Sequence, residues 1–196
     1  MKKYWIVLLV VAFLILIGYS SIKKAYNNMV SMEEAVTSQW AQVENVYQRR
    51  ADLIPNLVNT VKGYADFEQE TLTQVIEARA KATSVNINPG EINPQTFSQF
   101  QEAQAGLTSS LSRLLVVIER YPDLKANENF LDLQVQLERT ENRISNERRK
   151  YNDTAREYNT YIKQFPRNIY SNIFNFENKS YFEAEPESKE APTVEF

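Results

Sequence analysis

The chain has 196 residues and a formal net charge of -3, a length that suits one domain plus appendages. It contains no cysteine and no histidine. That excludes disulfides, thiol nucleophiles and zinc–thiolate sites, and removes the commonest general base and transition-metal ligand. The mild acidity offers no basic face for nucleic acid.

Lys2-Lys3 precede an apolar run over residues 4–22, interrupted only by Gly18, Ser20 and Ser21. As a helix the run is about 28 Å long, close to the hydrocarbon thickness of a bilayer. Tyr4 and Trp5 at one end and Tyr19 at the other sit where interfacial aromatics belong. A cleaved signal peptide and a buried core helix compete with a membrane span. A signal peptide has a shorter apolar core and a small-x-small cleavage site, and Gly18-Tyr19-Ser20 matches that poorly. The expectation is an uncleaved single-pass anchor over residues 1–22 that meets the lipid bilayer. Lys2-Lys3 and Lys23-Lys24 flank it almost evenly, so the positive-inside rule discriminates little. The reading places the amino terminus inside and the bulk of the chain outside.

From Ile22 the stripe continues in alternate steps of four and three. It reads Tyr26, Met29, Glu33, Val36, Trp40, Val43, Tyr47, Arg50, Ile54, Leu57, Val61 and Tyr64. Such a heptad-type seam predicts one long helix. Its phase survives Pro55, which predicts a kink rather than a stop, and Gly63 follows as a left-handed cap. A second, shorter helix is expected over residues 66–82, with Asp66 as N-cap. Its apolar face is Phe67, Leu72, Val75, Ile76 and Ala82. Residues 85–94 read as a loop from their Asn, Pro and Gly content.

A third helix over 95–120 carries Phe97, Phe100, Gln104, Leu107, Leu111, Leu114 and Ile118, and Tyr121-Pro122 breaks it. A fourth, over 127–165, places Phe130, Leu137, Ile144, Tyr151, Tyr158 and Phe165 seven residues apart, until Pro166 ends it. Short connections make neighbours antiparallel. The fold class is therefore all-α: the N-terminal transmembrane helix continues into an antiparallel up-down four-helix bundle over residues 23–165. Helices one and four are long, and two and three are short. Paired residue numbers on the long helices sum to about 187. Helices two and three then cover only the distal half, leaving a two-helix stalk by the membrane. The stalk pairs Tyr26, Met29, Val36 and Trp40 with Tyr151, Tyr158, Tyr161 and Phe165. Residues 166–196 form a C-terminal aromatic segment and a flexible tail. Residues 168–182 are too apolar for disorder, and either pack on the stalk or lie in the membrane interface.

The segment Arg49-Arg50-x-Asp52-Leu53-Ile54-Pro55-Asn56-Leu57-Val58-x-Thr60-Val61-Lys62-Gly63-Tyr64 resembles the LemA family of bacterial membrane-anchored proteins. So do Tyr26-Asn27, Trp40 with Val43, Ala78-Arg79, Tyr151-Asn152, Tyr158-Asn159, Phe165-Pro166 and Tyr181-Phe182-Glu183. One departure is Asn175, where such proteins often carry glycine before the phenylalanine. The resemblance implies a helical bundle on one anchor in the bacterial cytoplasmic (inner) membrane, with no established enzymatic activity and no cofactor.

The acidic residues do not make a di-iron bundle, which needs Glu-x-x-His pairs. Glu33, Arg50 and Glu147 are polar residues on seam positions, read as register-setting pairs or as side chains reaching water. Asp52 follows Arg49 by three and is placed for a local ion pair of small value. Arg50, Pro55, Asn56, Lys62, Gly63 and Tyr64 with Arg49 and Asp52 read as a structural signature. The Tyr-Asn pairs suggest more. By the register, Asn27 falls near Asn159 and Tyr26 near Tyr161. Exposed aromatics on a two-helix stalk need a cover: the C-terminal segment, a second copy or another protein. The candidate interaction residues are Tyr26, Asn27, Trp40, Tyr151, Asn152, Tyr158, Asn159 and Tyr161. The expected function is a non-enzymatic scaffold or adaptor for protein–protein interaction in the envelope, with no small-molecule substrate evident. A homo-oligomer assembled through the stalk is the alternative, and an enzyme without His or Cys a remoter one.

Overall fold

The computed structural model describes residues 2–63, 68–85, 87 and 92–183. Expectations attached to Tyr64, Asp66, Phe67, positions 86 and 88–91, and the tail beyond Glu183 lie outside those residues. The described chain is all-helical, with six helices and no strand.

The first helix, α1 (Lys2–Lys62), runs without a break. Its stripe is buried where the period predicts, at Met29, Val36, Trp40, Val43, Tyr47, Arg50, Ile54, Leu57 and Val61. The apolar run over residues 4–22 is exposed throughout. It is long and apolar enough to cross a membrane.

Pro55 sits inside α1 on its exposed face. Proline has no N–H, so the carbonyl of Ala51 one turn back loses its helical donor. That carbonyl accepts a hydrogen bond from Arg79 Nε at 2.8 Å instead. Arg79 belongs to α2 (Gln69–Ser84), so a gap in one helix becomes the docking point of the next. Gly63 follows Lys62 in a turn, but it is not left-handed, contrary to expectation. Among the described residues the left-handed position is Asn175, φ 57°. Asn tolerates that conformation better than most residues with a Cβ.

After α2 come α3 (Pro94–Ile118), α4 (Pro122–Lys125), α5 (Glu128–Lys163) and α6 (Arg167–Ile173). The sequence pattern predicts four helices, and α4 and α6 are additional. Both open next to a proline that reads as a stop, yet proline is well placed at a helix start. Helix α2 begins later than expected, with Glu68 at the N-cap position making no side-chain cap bond. Asn93 caps α3: its side chain accepts from the Gln95 and Thr96 amides at 3.0 and 2.9 Å, and Thr96 Oγ1 accepts from Asn93 N–H at 3.2 Å. Asn127 caps α5 through the Phe130 amide at 3.1 Å.

Helices α1 and α5 pack as an antiparallel pair. Cross-helix bonds join Asn28 to Tyr161, Gln39 to Glu147 and Arg50 to Glu141, within a few residues of the register of about 187. Helices α2 and α3 pair with one another, and α2 also packs on α1. The buried side chains form two clusters. The distal one is mainly aliphatic, with Ile54, Leu57, Val61, Leu72, Leu107 and Leu114. The proximal one is aromatic, with Trp40, Phe97, Phe100, Tyr151, Tyr158 and Phe182. Each such side chain stabilises the fold by roughly 1.5–3 kcal/mol through area removed from water. Met29, Val36, Trp40, Tyr151 and Tyr158 share the proximal cluster as the stalk pairing expects. Phe165 does not: it lies beyond the end of α5 and is 81% exposed.

Candidate functional site

Two polar arrangements stand out, one in each half of the α1–α5 pair. The distal one centres on Arg50, whose side chain is 2% exposed. Its Nη1 donates to Thr108 Oγ1 and Glu141 Oε2, both at 3.0 Å. Its Nη2 donates to Gln104 Oε1 at 2.8 Å and to the Gln104 carbonyl at 3.3 Å. Gln104 Nε2 in turn donates to the Ala82 carbonyl at 3.3 Å. With the Arg79–Ala51 bond, α1, α2, α3 and α5 are tied together within about two turns of α1. Burying a guanidinium costs several kcal/mol, and charge-assisted bonds of about 1.5–3 kcal/mol each offset it. Arg50 Nε has no partner among the described residues.

Ile54, Leu57, Val58 and Val61 of the signature segment are buried, while its polar and turn-forming residues are on the surface. Arg49, Asp52, Pro55, Asn56, Lys62 and Gly63 are exposed. Asp52 accepts from Gln48 Nε2 at 2.8 Å, not from Arg49. Asn56 contributes its carbonyl to Thr60 Oγ1 at 2.9 Å. Tyr64 lies outside the described residues.

The proximal arrangement is a strap. After α6 the chain runs back over α1 and α5, and two asparagines of α5 hold its backbone. Asn159 Oδ1 accepts from Lys179 N–H at 2.9 Å, and its Nδ2 donates to the Lys179 carbonyl at 2.9 Å. Asn152 does the same with Phe182, at 2.8 and 2.9 Å. Each clamp reproduces the two-bond exchange of a hydrogen-bonded pair in an antiparallel sheet. Asn159 Nδ2 also donates to Tyr181 Oη at 2.9 Å, and Arg148 Nη2 donates to the Glu183 carbonyl at 2.7 Å. Lys179 Nζ meets Glu33 Oε1 of α1 at 2.6 Å. The Phe182 ring enters an aromatic nest, with centroids 4.7 Å from Phe97, 5.4 Å from Tyr151 and 5.9 Å from Trp40.

This strap decides where the eight candidate interaction residues lie. Trp40, Tyr151, Tyr158 and Asn159 are buried beneath or beside it. Asn152 is half-buried as a clamp, and Tyr161 is half-buried, accepting from Asn28 Nδ2 at 3.1 Å. Tyr26 is exposed on one side, and its ring meets Phe174 and Phe176 edge-on at 4.9 and 5.6 Å. Asn27 is exposed, and its neighbour Asn28 makes the cross-helix bond. Asn159 therefore faces Lys179 rather than Asn27: it lies under the strap, whereas Asn27 points to the exposed side of α1. Gln39, Gln104 and Phe182 were not among the candidates. Gln104 lies on the α3 seam, but the spacing does not say which polar group it meets, and a strap contact is invisible to local spacing.

Burial also sets the electrostatics. Trp40 Nε1, Tyr151 Oη and Tyr158 Oη have no hydrogen-bond partner among the described residues. Desolvation pushes both phenols above the ordinary tyrosine range. Tyr181 adds to the effect at Tyr151, and the carboxylates of Glu33 and Glu177 add to it at Tyr158. Burial likewise raises Glu44, partly offset by the Trp40 indole and the Ile87 amide. Glu147 moves the other way: its bond to Lys150 lowers it, against some desolvation and with help from Gln39. Among the described residues no group of three or more Asp and Glu converges on a metal position.

Magnetosome protein MamQ 2 of Paramagnetospirillum magneticum is 26% identical over 197 residues, covering 92% of this chain and 71% of its own. Magnetosome protein MamQ of Magnetospirillum gryphiswaldense is 24% identical, over 82% of this chain and 65% of its own. Protein LemA of Metamycoplasma hominis is 24% identical, over 81% and 68%. The family profile itself matches residues 39–196, from the Trp40 turn of α1 through both polar arrangements, and the chain belongs to the LemA family.

Proposed function

We propose that this chain is a membrane-anchored, non-enzymatic scaffold or adaptor of the bacterial envelope. It carries an up-down four-helix head on a membrane-proximal stalk. The observation that supports this most is the continuity of α1. One helix is apolar and exposed over residues 4–22 and then becomes the buried spine of the packed domain. A soluble protein gains nothing by exposing such a run, whereas a bilayer covers it. Phe165, Ile169, Ile173 and Phe174 are also exposed. The Phe174 ring lies 4.9 Å from that of Tyr26, one turn beyond Ile22. These side chains collect where the apolar run ends, which is where an interface would receive them. The magnetosome relatives are named for an assembly rather than a reaction, in keeping with a role in organisation.

The test is extraction and topology. The protein should stay in the membrane through an alkaline carbonate wash, and protease added outside spheroplasts should remove everything beyond residue 23. Release by carbonate, or full protection of the domain, would overturn the reading. The rival homo-oligomer is favoured by Tyr26 and Val30, which remain exposed on the stalk. Crosslinking in membranes separates the two: a self-crosslink through this face supports the oligomer, and a foreign partner supports the adaptor.

A further inference from the structure

We propose that the groove between α1 and α5 beneath the strap is a peptide-binding site. Its ligand is an extended segment of a partner protein with a basic residue three positions before an aromatic one. The chain's own residues 179–183 occupy it as a built-in mimic. The inference rests on the adaptor reading and names the chemistry of the partner.

The site is built for a backbone. Asn152 and Asn159 are two helical turns apart, about 10.5 Å. The residues they clamp, Lys179 and Phe182, are three apart, about 10 Å in an extended chain. The two spacings agree, so α5 presents a ruler matched to extended polypeptide. Each clamp uses an amide as both donor and acceptor toward one residue's N–H and C=O. Such bonds are indifferent to the side chain, as in other modes of extended-peptide recognition. Specificity comes from two other places. Glu33 takes the Lys179 ammonium at 2.6 Å, with that side chain 13% exposed. The Trp40–Phe97–Tyr151 nest takes the Phe182 ring. Between them Tyr181 is 42% exposed, its hydroxyl accepting from Asn159 Nδ2 at 2.9 Å, and Ser180 is half-buried, so the middle positions add one polar contact and little else.

The occupant is held by side chains rather than by a ladder or a helix of its own. It also follows α6, so releasing residues 179–183 leaves α1 to α6 in place. A tethered ligand competes at an effective concentration in the millimolar range. An incoming segment therefore binds well only when the mimic is weakened or the partner is itself held at the membrane.

The test uses the full chain in detergent and a labelled peptide of residues 177–183. Phe182→Ala should bind the peptide saturably, at least tenfold more tightly than wild type. Adding Asn152→Ala and Asn159→Ala should lose at least tenfold, and so should a peptide with Glu in place of its lysine. No saturable binding to a folded Phe182→Ala chain, or binding indifferent to both asparagines, would overturn the proposal. If Phe182→Ala does not fold, hydrogen exchange on wild type decides. The Lys179 and Phe182 amides should exchange at least a hundredfold faster than core amides of α5, and exchange only through global unfolding contradicts a detachable occupant. Two differently tagged populations that trade straps on mixing would replace the partner with a second copy. None of these readouts needs a membrane or a cellular partner, so their failure is distinct from failure of the anchor.

Discussion

The two halves of the α1–α5 pair are closed in different ways. Distally, helices do the covering, and the core is mainly Leu, Ile and Val contributed by the five helices α1 to α5. Proximally, part of the cover is a non-helical strap, and the core is aromatic. Both halves contain polar groups at the join. In the distal half they are Arg50 and Arg79, which fix helices to helices. In the proximal half they are Asn152 and Asn159, which fix a backbone to a helix. Packing spread over many apolar side chains makes a region that opens only as a whole. Packing concentrated in one ring and two amides makes a region that can open alone.

Substitutions can break that contrast, and the largest expected effect is in the distal core. Leu114→Ala removes a fully buried side chain and should cost about 2–5 kcal/mol of global stability by denaturant melts. Phe182→Ala should cost less globally, because the loss is capped by the strap's own stability, while Trp40 becomes accessible to quencher. Equal global costs would remove the distinction between the halves.

Next is the pairing of Pro55 with Arg79. Arg79→Ala orphans the Ala51 carbonyl and should cost about 1–3 kcal/mol. In a Pro55→Ala background the new N–H satisfies that carbonyl, and the same change should cost less. A double-mutant cycle with no coupling would contradict this account of the proline.

Smaller gains are expected at two sites in the proximal half. Asn175→Gly relieves the left-handed backbone and should raise stability by up to about 1 kcal/mol. Tyr151→Phe and Tyr158→Phe each delete a hydroxyl without a partner and should be neutral or stabilising by up to about 1 kcal/mol at pH 7. Because both phenols are raised, their contribution is present below the ordinary tyrosine value of about 10 and lost as pH rises through the folded values. Each Phe variant should therefore flatten the alkaline loss of stability. A steeper alkaline limb would contradict the burial argument.

Much of this fold is legible in the sequence, and what is missed has a common cause. The α1 stripe and the α5 seam are periodic over many turns, so their buried faces and antiparallel register follow from spacing alone. Helices α4 and α6 are too short to show a period. Asn93 before Pro94 is a start signal, but it is lost in a loop reading based on composition. Gly63 and Asn175 exchange roles: the glycine ends a helix without a left-handed turn, and the asparagine supplies one. In the candidate site, the spacing of Asn152 and Asn159 marks them as unusual on a helix. Their partners are twenty or more residues away in the sequence, and no local pattern points to them. Arg50 lies on the stripe, but its convergence on Gln104, Thr108 and Glu141 appears only when three helices meet.

The central claim is that the chain's own C-terminal strap covers the aromatic core nearest the apolar N-terminal run. The sequence has no cysteine, so Glu33→Cys with Lys179→Cys gives a clean pair across the strap contact. Treated with a short bismaleimide in native membranes, the double variant should run as a monomer with residues 33 and 179 joined in one chain. A dimer-sized product joined through these positions, or no crosslink in the folded protein, would contradict the account.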